Sequence, residues 1–293
     1  MLIQEKLQSN SFSPTERVII DYLLKEQLNI KKMTTKQIAE ATYTSPSLLI
    51  RIAHKLGYSG FNEFKEALIL EEEYELRHAS DIDANIPFKK DDSLITIAQK
   101  IATLEKDAIQ DTCDLINPKN LQIAVDYLRH ANQINLFAVS NNLLIAQLFQ
   151  HRMRRIRKNV IVNPLHGETQ YEANAMPKGS CAIILSYSGE TPILVNAALR
   201  IKEKGIPLIL ISNIGESSLS HLADVTLTIC TREKLYSKIA TYSTDTSFEY
   251  ILDLLYSCVF AMHYEQNFAY KQDSGSAIEL GRKNASTSIL KEE

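Results

Sequence analysis

Five short, almost wholly apolar segments between residues 134 and 230 constrain the fold more than any other feature of this sequence. They lie at residues 134–139, 160–163, 181–186, 207–212 and 225–230. Helical patterns separate them, at residues 143–157, 169–176, 192–204 and 217–222. Strands that are buried on both faces by helices have this length and composition. We therefore predict an α/β domain with a five-stranded, parallel, doubly wound sheet, closed by a long helix over about residues 246–266.

The N-terminal part of the chain has a different pattern, that of short helices. Ser13-Pro14-Thr15-Glu16 and Thr34-Thr35-Lys36-Gln37 are capping boxes, and Ser45-Pro46 starts a third helix after a short turn. A last helix is expected from about Phe61 to Tyr74. A short helix, a tight turn and a second helix form a helix-turn-helix arrangement. We predict an all-α helix-turn-helix domain over residues 1–78.

Charge and periodicity place the boundary between the two parts. Residues 1–70 have a net charge of +2, and residues 71–114 have a net charge of −7. The segment 79–92 is polar, contains Pro87 and lacks periodicity, which is typical of a linker. We therefore assign residues 79–106 to a linker and a leading helix, and residues 107–293 to the α/β domain.

Composition excludes several classes of protein. The four cysteines lie far apart without a C-x-x-C pair, which argues against zinc-finger, thioredoxin-like and disulfide-scaffold proteins. The longest clean apolar run, residues 206–211, is far shorter than the ~20 residues that a membrane span needs, and residues 1–6 lack the apolar core of a signal peptide. With a net charge of −3, any contact with nucleic acid must be local. We expect a cytoplasmic protein with no membrane partner, cofactor or metal.

The predicted third helix has an apolar and a polar face. Leu49, Ile52, Ala53 and Leu56 fall at i, i+3, i+4 and i+7. The side chains on the opposite face can meet base edges or phosphates, and Ser45 is expected to cap the helix. With Thr35 at the start of the preceding helix, the candidate DNA contacts are Thr35, Ser45, Ser47, Arg51, His54, Lys55 and Tyr58. A solvated face in a small bundle has the same periodicity, so the pattern alone leaves DNA binding open.

A second candidate site follows the most apolar of the predicted strands. Ser186, Ser188, Gly189 and Thr191 stand between this strand and a helix that begins at Pro192, with Thr191 as the expected N-cap. Hydroxyl groups, a glycine and free helix amides suit a phosphate, although a capped turn without a ligand has the same pattern. The absence of G-x-x-x-x-G-K excludes a P-loop nucleotide site.

The N-terminal motifs resemble a known family. The stretches S-P-T-E-R-V-I-I-D-Y-L-L and T-T-K-Q-I-A-E-A-T-Y-T-S-P-S-L-L-I-R-I-A-H-K-L-G-Y-S-G-F-N-E-F-K are similar to the N-terminal domain of RpiR/MurR-type bacterial transcription regulators, over about residues 11–70. The family usually has threonine at the position of Leu48 and an acid at that of Pro46, and these departures concern base preference. The resemblance implies that the third helix binds operator DNA.

The second half resembles the sugar isomerase (SIS) domain, in which an S-x-S-G-x-T loop holds the phosphate of a phosphosugar. Residues 217–224 also match the S-x-L-x-x-x-A-D segment of that domain. Its first strand–helix turn is usually G-x-G-x-S, whereas this chain has Ala138-Val139-Ser140-Asn141-Asn142. The resemblance implies a phosphosugar effector held by Ser186, Ser188, Gly189 and Thr191, with Ser140, Asn141 and Asn142 as further contacts.

These observations favour a DNA-binding regulator of sugar-metabolism genes, a homodimer or dimer of dimers, because one helix-turn-helix buries too little surface for specific operator affinity. One alternative is a phosphosugar isomerase with an appended helical domain, for which His166, Glu168, Glu190, Glu249 and His263 are the acid/base candidates. Another is a sensor that acts only through protein partners. The basic segment 151–158 is either a solvated helix end or a second phosphate contact.

Overall fold

The computed structural model describes residues 3–9, 12–77 and 82–278. The chain divides into two compact units. The first comprises Met1–Asp107 with Ile214–Ser217 and Lys234–Ile239, and the second comprises Ala108–Asn213, Ser218–Glu233 and Ala240–Glu293. None of the described helices has the length and apolar character needed to cross a membrane.

The first unit is helical. Its elements are α1 (Ile3–Ser9), α2 (Pro14–Glu26), a 3-10 helix (Gln27–Lys32), α3 (Thr35–Ala41), α4 (Pro46–Lys55) and α5 (Phe61–Arg77). Both predicted capping boxes are confirmed: the backbone amide of Ser13 donates to Glu16 over 2.8 Å, and that of Thr34 donates to Gln37 over 2.8 Å. The apolar faces of these helices meet in one core, which includes Ile20, Ile38, Leu49, Ile52, Phe61, Phe64, Leu68 and Ile69.

The second unit is built on five parallel strands, as predicted. They are β1 (Gln133–Phe137), β2 (Val160–Val162), β3 (Ser180–Leu185), β4 (Leu208–Ser212) and β5 (Val225–Thr228), in the spatial order β2-β1-β3-β4-β5. Helix α6 (Leu94–Asp114) begins in the first unit and ends in the second. The other helices of the second unit are α7 (Pro118–His130), α8 (Asn142–Arg154), α9 (Thr169–Ala175), α10 (Pro192–Glu203), α11 (Ser218–Leu222), α12 (Tyr242–Ala261) and α13 (Tyr264–Ile278).

Alternation along β3 explains why the strands are apolar throughout. Cys181, Ile183 and Leu185 point into a cluster that also contains apolar residues of α7, α8 and α12. Ala182 and Ile184 point into a second cluster, with apolar residues of α9, α10 and α11. Because helices cover both faces of the sheet, a polar side chain on either face of the strand would lose its hydration.

The structure corrects three expectations about helices. The helix expected over residues 246–266 is two helices, α12 and α13, and its apolar residues Phe248, Ile251, Leu252, Leu255 and Val259 are buried in the core. Ser45 lies at the N-cap position of α4, but its hydroxyl contacts that of Ser47 over 2.8 Å instead of a helix amide. Helices α1 and α7 were not expected from the pattern. Residue 78, at the end of the predicted helix-turn-helix domain, and residues 79–81 of the predicted linker lie outside the described residues.

Candidate functional site

Helix α4 buries its apolar face and exposes its polar one. Leu49, Ile52 and Ala53 are fully buried in the core of the first unit. The exposed side chains of the other face are Ser47, Arg51, His54 and Lys55. A guanidinium, an ammonium, an imidazole and a hydroxyl group therefore lie together on one solvent-facing surface, which we call the α4 face.

One buried carboxylate pairs with both strong cations of the α4 face. Glu16 Oε1 lies 3.4 Å from Arg51 Nε, and Oε2 lies 3.4 Å from Lys55 Nζ. The backbone amide of Ser13 donates to the same carboxylate, and this hydrogen bond lowers the pKa of Glu16. The Arg51 side chain is still 66% exposed and that of Lys55 is 41% exposed. Glu16 therefore orients two cations that remain accessible.

An aromatic ring and a backbone carbonyl further restrict side chains of the α4 face. Lys55 Nζ lies 4.6 Å from the centroid of the Phe12 ring, within the range of a cation–π contact. His54 Nε2 lies 3.0 Å from the carbonyl oxygen of Ser59. Thr35, the first residue of α3, is half-buried beside its N-cap.

Tyr58 does not belong to the α4 face, and the prediction that placed it there is wrong. Its side chain is buried, with 4% exposure, and its ring packs edge-on against Phe64, with the centroids 5.4 Å apart. Helix α4 ends at Lys55, and Gly57 follows in the left-handed region at φ 99°. The amide of Tyr58 bonds the carbonyl of Ala53, and that of Gly57 bonds the carbonyl of His54. This pair of bonds is the Schellman motif, which turns the next side chain back against the helix.

The strand order of the second unit locates its ligand crevice. The chain passes from β1 to β2 on one side and then to β3 on the other, so the order reverses between β1 and β3. Ligands of open α/β sheets bind at such a switch point, outside the carboxyl ends of the strands. Residues 138–142 follow β1, and residues 186–191 follow β3. The two predicted effector segments therefore end neighbouring strands at the same edge of the sheet.

The loop after β3 is organised by its own hydroxyl groups. Ser186 Oγ lies 3.2 Å from Thr191 Oγ1 and accepts the amide of Gly189 over 3.2 Å. Ser188 Oγ accepts the amide of Glu190 over 3.2 Å. Thr191 is the N-cap residue of α10, as predicted, although its side chain does not bond a helix amide. Pro192 has no amide hydrogen, and the amides of Leu194 and Val195 both donate to the carbonyl of Thr191 over 3.0 Å. The amide of Ile193 is therefore the first-turn donor of α10 that the helix leaves available to an anion.

The turn after β1 has a strained backbone. Ser140 stands where the SIS pattern has a glycine, and it adopts the left-handed conformation, at φ 55°. This conformation costs a residue with a Cβ roughly 1–2 kcal/mol. Asn141 donates from Nδ2 to Asp245 Oδ1 over 2.7 Å and to Thr241 Oγ1 over 3.1 Å. Asn142, the first residue of α8, is half-buried.

The start of α12 is a part of this region that sequence reasoning missed. Glu233 is buried, and its carboxylate accepts the amides of Ser243 and Thr244 over 2.6 and 3.2 Å and the Thr244 hydroxyl over 2.7 Å. The hydroxyl of Tyr187, in the loop after β3, donates to the carbonyl of Glu233 over 2.6 Å. The loop after β3 and the first turn of α12 are therefore joined through Glu233. No local motif indicates this pairing, because Tyr187 and Glu233 are 46 residues apart.

Two of the acid/base candidates, Glu190 and Glu249, are engaged in separate contacts. Glu190 accepts the amide and hydroxyl of Ser218 over 2.8 and 2.7 Å, and Glu249 lies 3.5 Å from Arg152 at the other end of α8. The side chain of His166 lies outside the described residues. Within residues 3–9, 12–77 and 82–278, no three His, Cys, Asp or Glu side chains form a metal-binding group.

Two family models match this chain. The helix-turn-helix domain of the rpiR family matches residues 1–74, and the SIS domain matches residues 127–252. The chain belongs to the RpiR family of helix-turn-helix transcriptional regulators. The α4 face lies inside the first match, and both effector segments lie inside the second.

This RpiR-family regulator aligns over nearly its whole length with two relatives and one solved structure. An uncharacterized HTH-type transcriptional regulator of Caldanaerobacter subterraneus is 26% identical over 279 residues, which cover 94% of this chain and 96% of the relative. The uncharacterized HTH-type transcriptional regulator YbbH of Bacillus subtilis is 29% identical over 276 residues, with coverages of 92% and 93%. The structure of Vibrio vulnificus NanR complexed with ManNAc-6P superposes with a TM-score of 0.59 at 24% identity, covering 94% of this chain and 97% of NanR.

Proposed function

We propose that this RpiR-family regulator binds operator DNA through the α4 face and a phosphosugar effector through the loops that follow β1 and β3. The α4 face meets duplex DNA, with Arg51 at a base edge and Lys55 at a phosphate. Ser45, Ser47, His54 and Thr35 supply further polar contacts. Such a regulator acts in the cytoplasm, where bacterial DNA lies.

The observation that carries the effector proposal is the position of the phosphate loop at the switch point of the sheet. Ser186, Ser188 and Thr191 lie in the loop between β3 and the first turn of α10, and the turn containing Asn141 and Asn142 ends the neighbouring strand. Hydroxyl groups and helix amides of the loop after β3 bind the phosphate, and the side-chain amides of Asn141 and Asn142 bind sugar hydroxyl groups. The ManNAc-6P in the complex of the NanR protein supports a phosphosugar as the class of effector.

The assembly proposed is a homodimer or a dimer of dimers. Specific operators are read by paired helices about 34 Å apart, which one chain does not supply. Apolar side chains exposed on the second unit offer a surface for pairing, and they include Leu144 on α8 and Tyr264 and Phe268 on α13. The apolar residues Phe248, Ile251, Leu252, Leu255 and Val259 of α12 are buried in the core, so they are not available for such a contact.

We propose further that the protein is not an isomerase. Isomerisation of a sugar requires an acid and a base within hydrogen-bond reach of the substrate. Of the candidates, Glu190 is occupied by Ser218 and Glu249 faces Arg152. An N-terminal helix-turn-helix domain also has no role in an isomerase reaction.

The test combines DNA binding with an effector screen on the full-length protein. DNA fragments from around its own gene are assayed for binding at several salt concentrations, and phosphosugars are screened by thermal stabilisation. A true effector at 100 times its dissociation constant adds about 2.7 kcal/mol to stability and changes operator affinity. If no fragment binds above non-specific DNA, the regulatory function is wrong. Turnover of the stabilising phosphosugar would favour the isomerase instead.

A further inference from the structure

The basic segment at the end of α8 is divided by its contacts into two groups. Three of its cations are used inside the second unit. Arg152 pairs with Asp253 and Glu249, the Arg157 guanidinium lies 4.5 Å from the centroid of the Tyr270 ring, and Lys158 Nζ donates to the carbonyl of Arg129 over 2.8 Å. These contacts fix the segment against α12, α13 and α7.

The remaining basic side chains converge on a cavity. His151, Arg154 and Arg155 line a recess of about 260 Å³ together with Tyr270, Lys271, Ser274 and Gly275 of α13. No acidic side chain is among these lining residues. Within the part of the chain that the structure describes, Arg154, Arg155 and Lys271 form no ion pair. We call this recess the α8–α13 cavity.

The helix dipole explains only part of this arrangement. Cations at the last turn of α8 are favoured by the partial negative charge of the helix end. Lys271 lies in the middle of α13, so the dipole of α8 does not account for its position. Arg154, Arg155 and Lys271 are exposed around one recess that no acidic side chain lines, so an anion in the recess would be attracted by all three.

We propose that the α8–α13 cavity is a second ligand site, which binds a small compound with two or more linked phosphate groups. One arginine guanidinium can donate two parallel hydrogen bonds to a phosphate group. Two neighbouring arginines with a lysine therefore match a diphosphate better than a single phosphate. The recess is near the lower limit of ligand pockets, which suits a small polyanion. A concave recess accepts a small molecule, whereas duplex DNA presents its phosphates on a convex surface.

Gly275 lines the α8–α13 cavity and has no side chain that would occupy it. It lies within α13, where a glycine costs about 1 kcal/mol relative to alanine. A Cβ added there would meet no heavy atom within 4 Å, so the position accepts a side chain. Because Gly275 lines the recess, Gly275→Leu adds a bulky side chain at its wall without removing a charge.

The experiment measures binding of inorganic triphosphate to the full-length protein by titration calorimetry. Arg154→Ala and Arg155→Ala are each expected to weaken binding at least tenfold, because hydrogen bonds to charged groups are lost. Gly275→Leu should weaken it as strongly by excluding the ligand. The matched control is Arg129→Ala, an exposed arginine of the same unit outside the cavity, which should leave affinity within twofold.

The outcomes separate this site from the phosphosugar site. Triphosphate binding should survive Ser188→Ala with Thr191→Ala, and its loss there would mean that the anion binds at the loop after β3, which overturns the proposal. Equal weakening by Arg129→Ala would mean non-specific attraction and overturns it as well. If Arg154→Ala lowers DNA affinity but not triphosphate affinity, the cluster is a DNA backbone contact and the proposal is wrong.

Discussion

The α4 face and the effector crevice are built in opposite ways. The four exposed side chains of the α4 face come from nine consecutive residues on one helix, Ser47 to Lys55. The proposed effector crevice takes residues 138–142, residues 186–191, and Glu233 with residues 241–245 from three distant parts of the chain, which the sheet and α12 bring together. One site depends on helix periodicity, and the other depends on topology.

This difference decides how a substitution is expected to act. On the α4 face, each exposed side chain is expected to make its own contact with DNA, so a single change should remove one contact. In the effector crevice, the hydroxyl groups also hold the loop together, as Ser186 and Thr191 do across 3.2 Å. Substitutions there remove contacts and also loosen the remaining donors, so their effects should be larger.

The largest effect is expected for Ser188→Ala combined with Thr191→Ala. The two changes remove two hydroxyl donors, and each hydrogen bond to a charged group contributes roughly 1.5–3 kcal/mol. Effector affinity should fall about a hundredfold or more, at about 1.4 kcal/mol per factor of ten. Isothermal titration with the stabilising phosphosugar measures this loss.

The matched control is Ser257→Ala, an exposed serine on α12 outside the loop, which should not alter effector affinity. Operator affinity of the double variant without effector should equal that of the wild type, because the loop belongs to the SIS domain. A double variant that still responds at the wild-type effector concentration places the sensing site elsewhere.

The fold could be predicted from the sequence more completely than either site. Strands buried on both faces leave unbroken apolar runs, so all five strands were found from composition alone. Ser186 and Thr191 were also found, because a strand, a hydroxyl-rich turn and an N1 proline are adjacent in the chain. Glu233, Thr241 and Asp245 were not, because their pairing with Tyr187 and Asn141 exists only in the folded sheet.

The next largest effect concerns Glu233, which stabilises the effector crevice without belonging to the phosphate loop. Glu233→Ala leaves the first amides of α12 buried without an acceptor and removes a negative charge from a helix N-terminus. We expect the free energy of unfolding of the second unit to fall by about 2–4 kcal/mol, measured by urea denaturation. Glu233→Gln keeps one acceptor oxygen and should lose about half as much.

The control for Glu233 is Glu203→Ala, which removes an exposed carboxylate that pairs with Arg200 over 2.8 Å. Exposed pairs contribute about 0–1 kcal/mol, so stability should hardly change. Equal losses in the two variants would show that Glu233 does not cap α12 in solution.

Smaller effects are expected on the α4 face. Arg51→Ala should cost about 1–3 kcal/mol of specific operator affinity if its guanidinium binds a guanine edge. Lys55→Ala should instead weaken all DNA sequences alike and lower the slope of log affinity against log salt by about 1. Binding assays with operator and scrambled DNA at several salt concentrations distinguish the two roles. Operator affinity unchanged in Arg51→Ala would mean that α4 is not the recognition helix.

The smallest effect is expected at Tyr58, where pattern and structure disagree. Helical periodicity extended beyond Lys55 places this phenol beside Arg51, whereas the turn at Gly57 directs it into the core. Its hydroxyl is buried without a hydrogen-bond partner in the described residues, and burial raises the pKa of Tyr58. Tyr58→Phe removes a polar atom that the core does not satisfy, so stability should stay the same or rise by up to about 1 kcal/mol. Operator affinity should not change, since a buried ring cannot reach DNA. A tenfold loss of operator affinity in a stably folded Tyr58→Phe variant would return this residue to the α4 face and contradict the Schellman turn that separates it from the recognition helix.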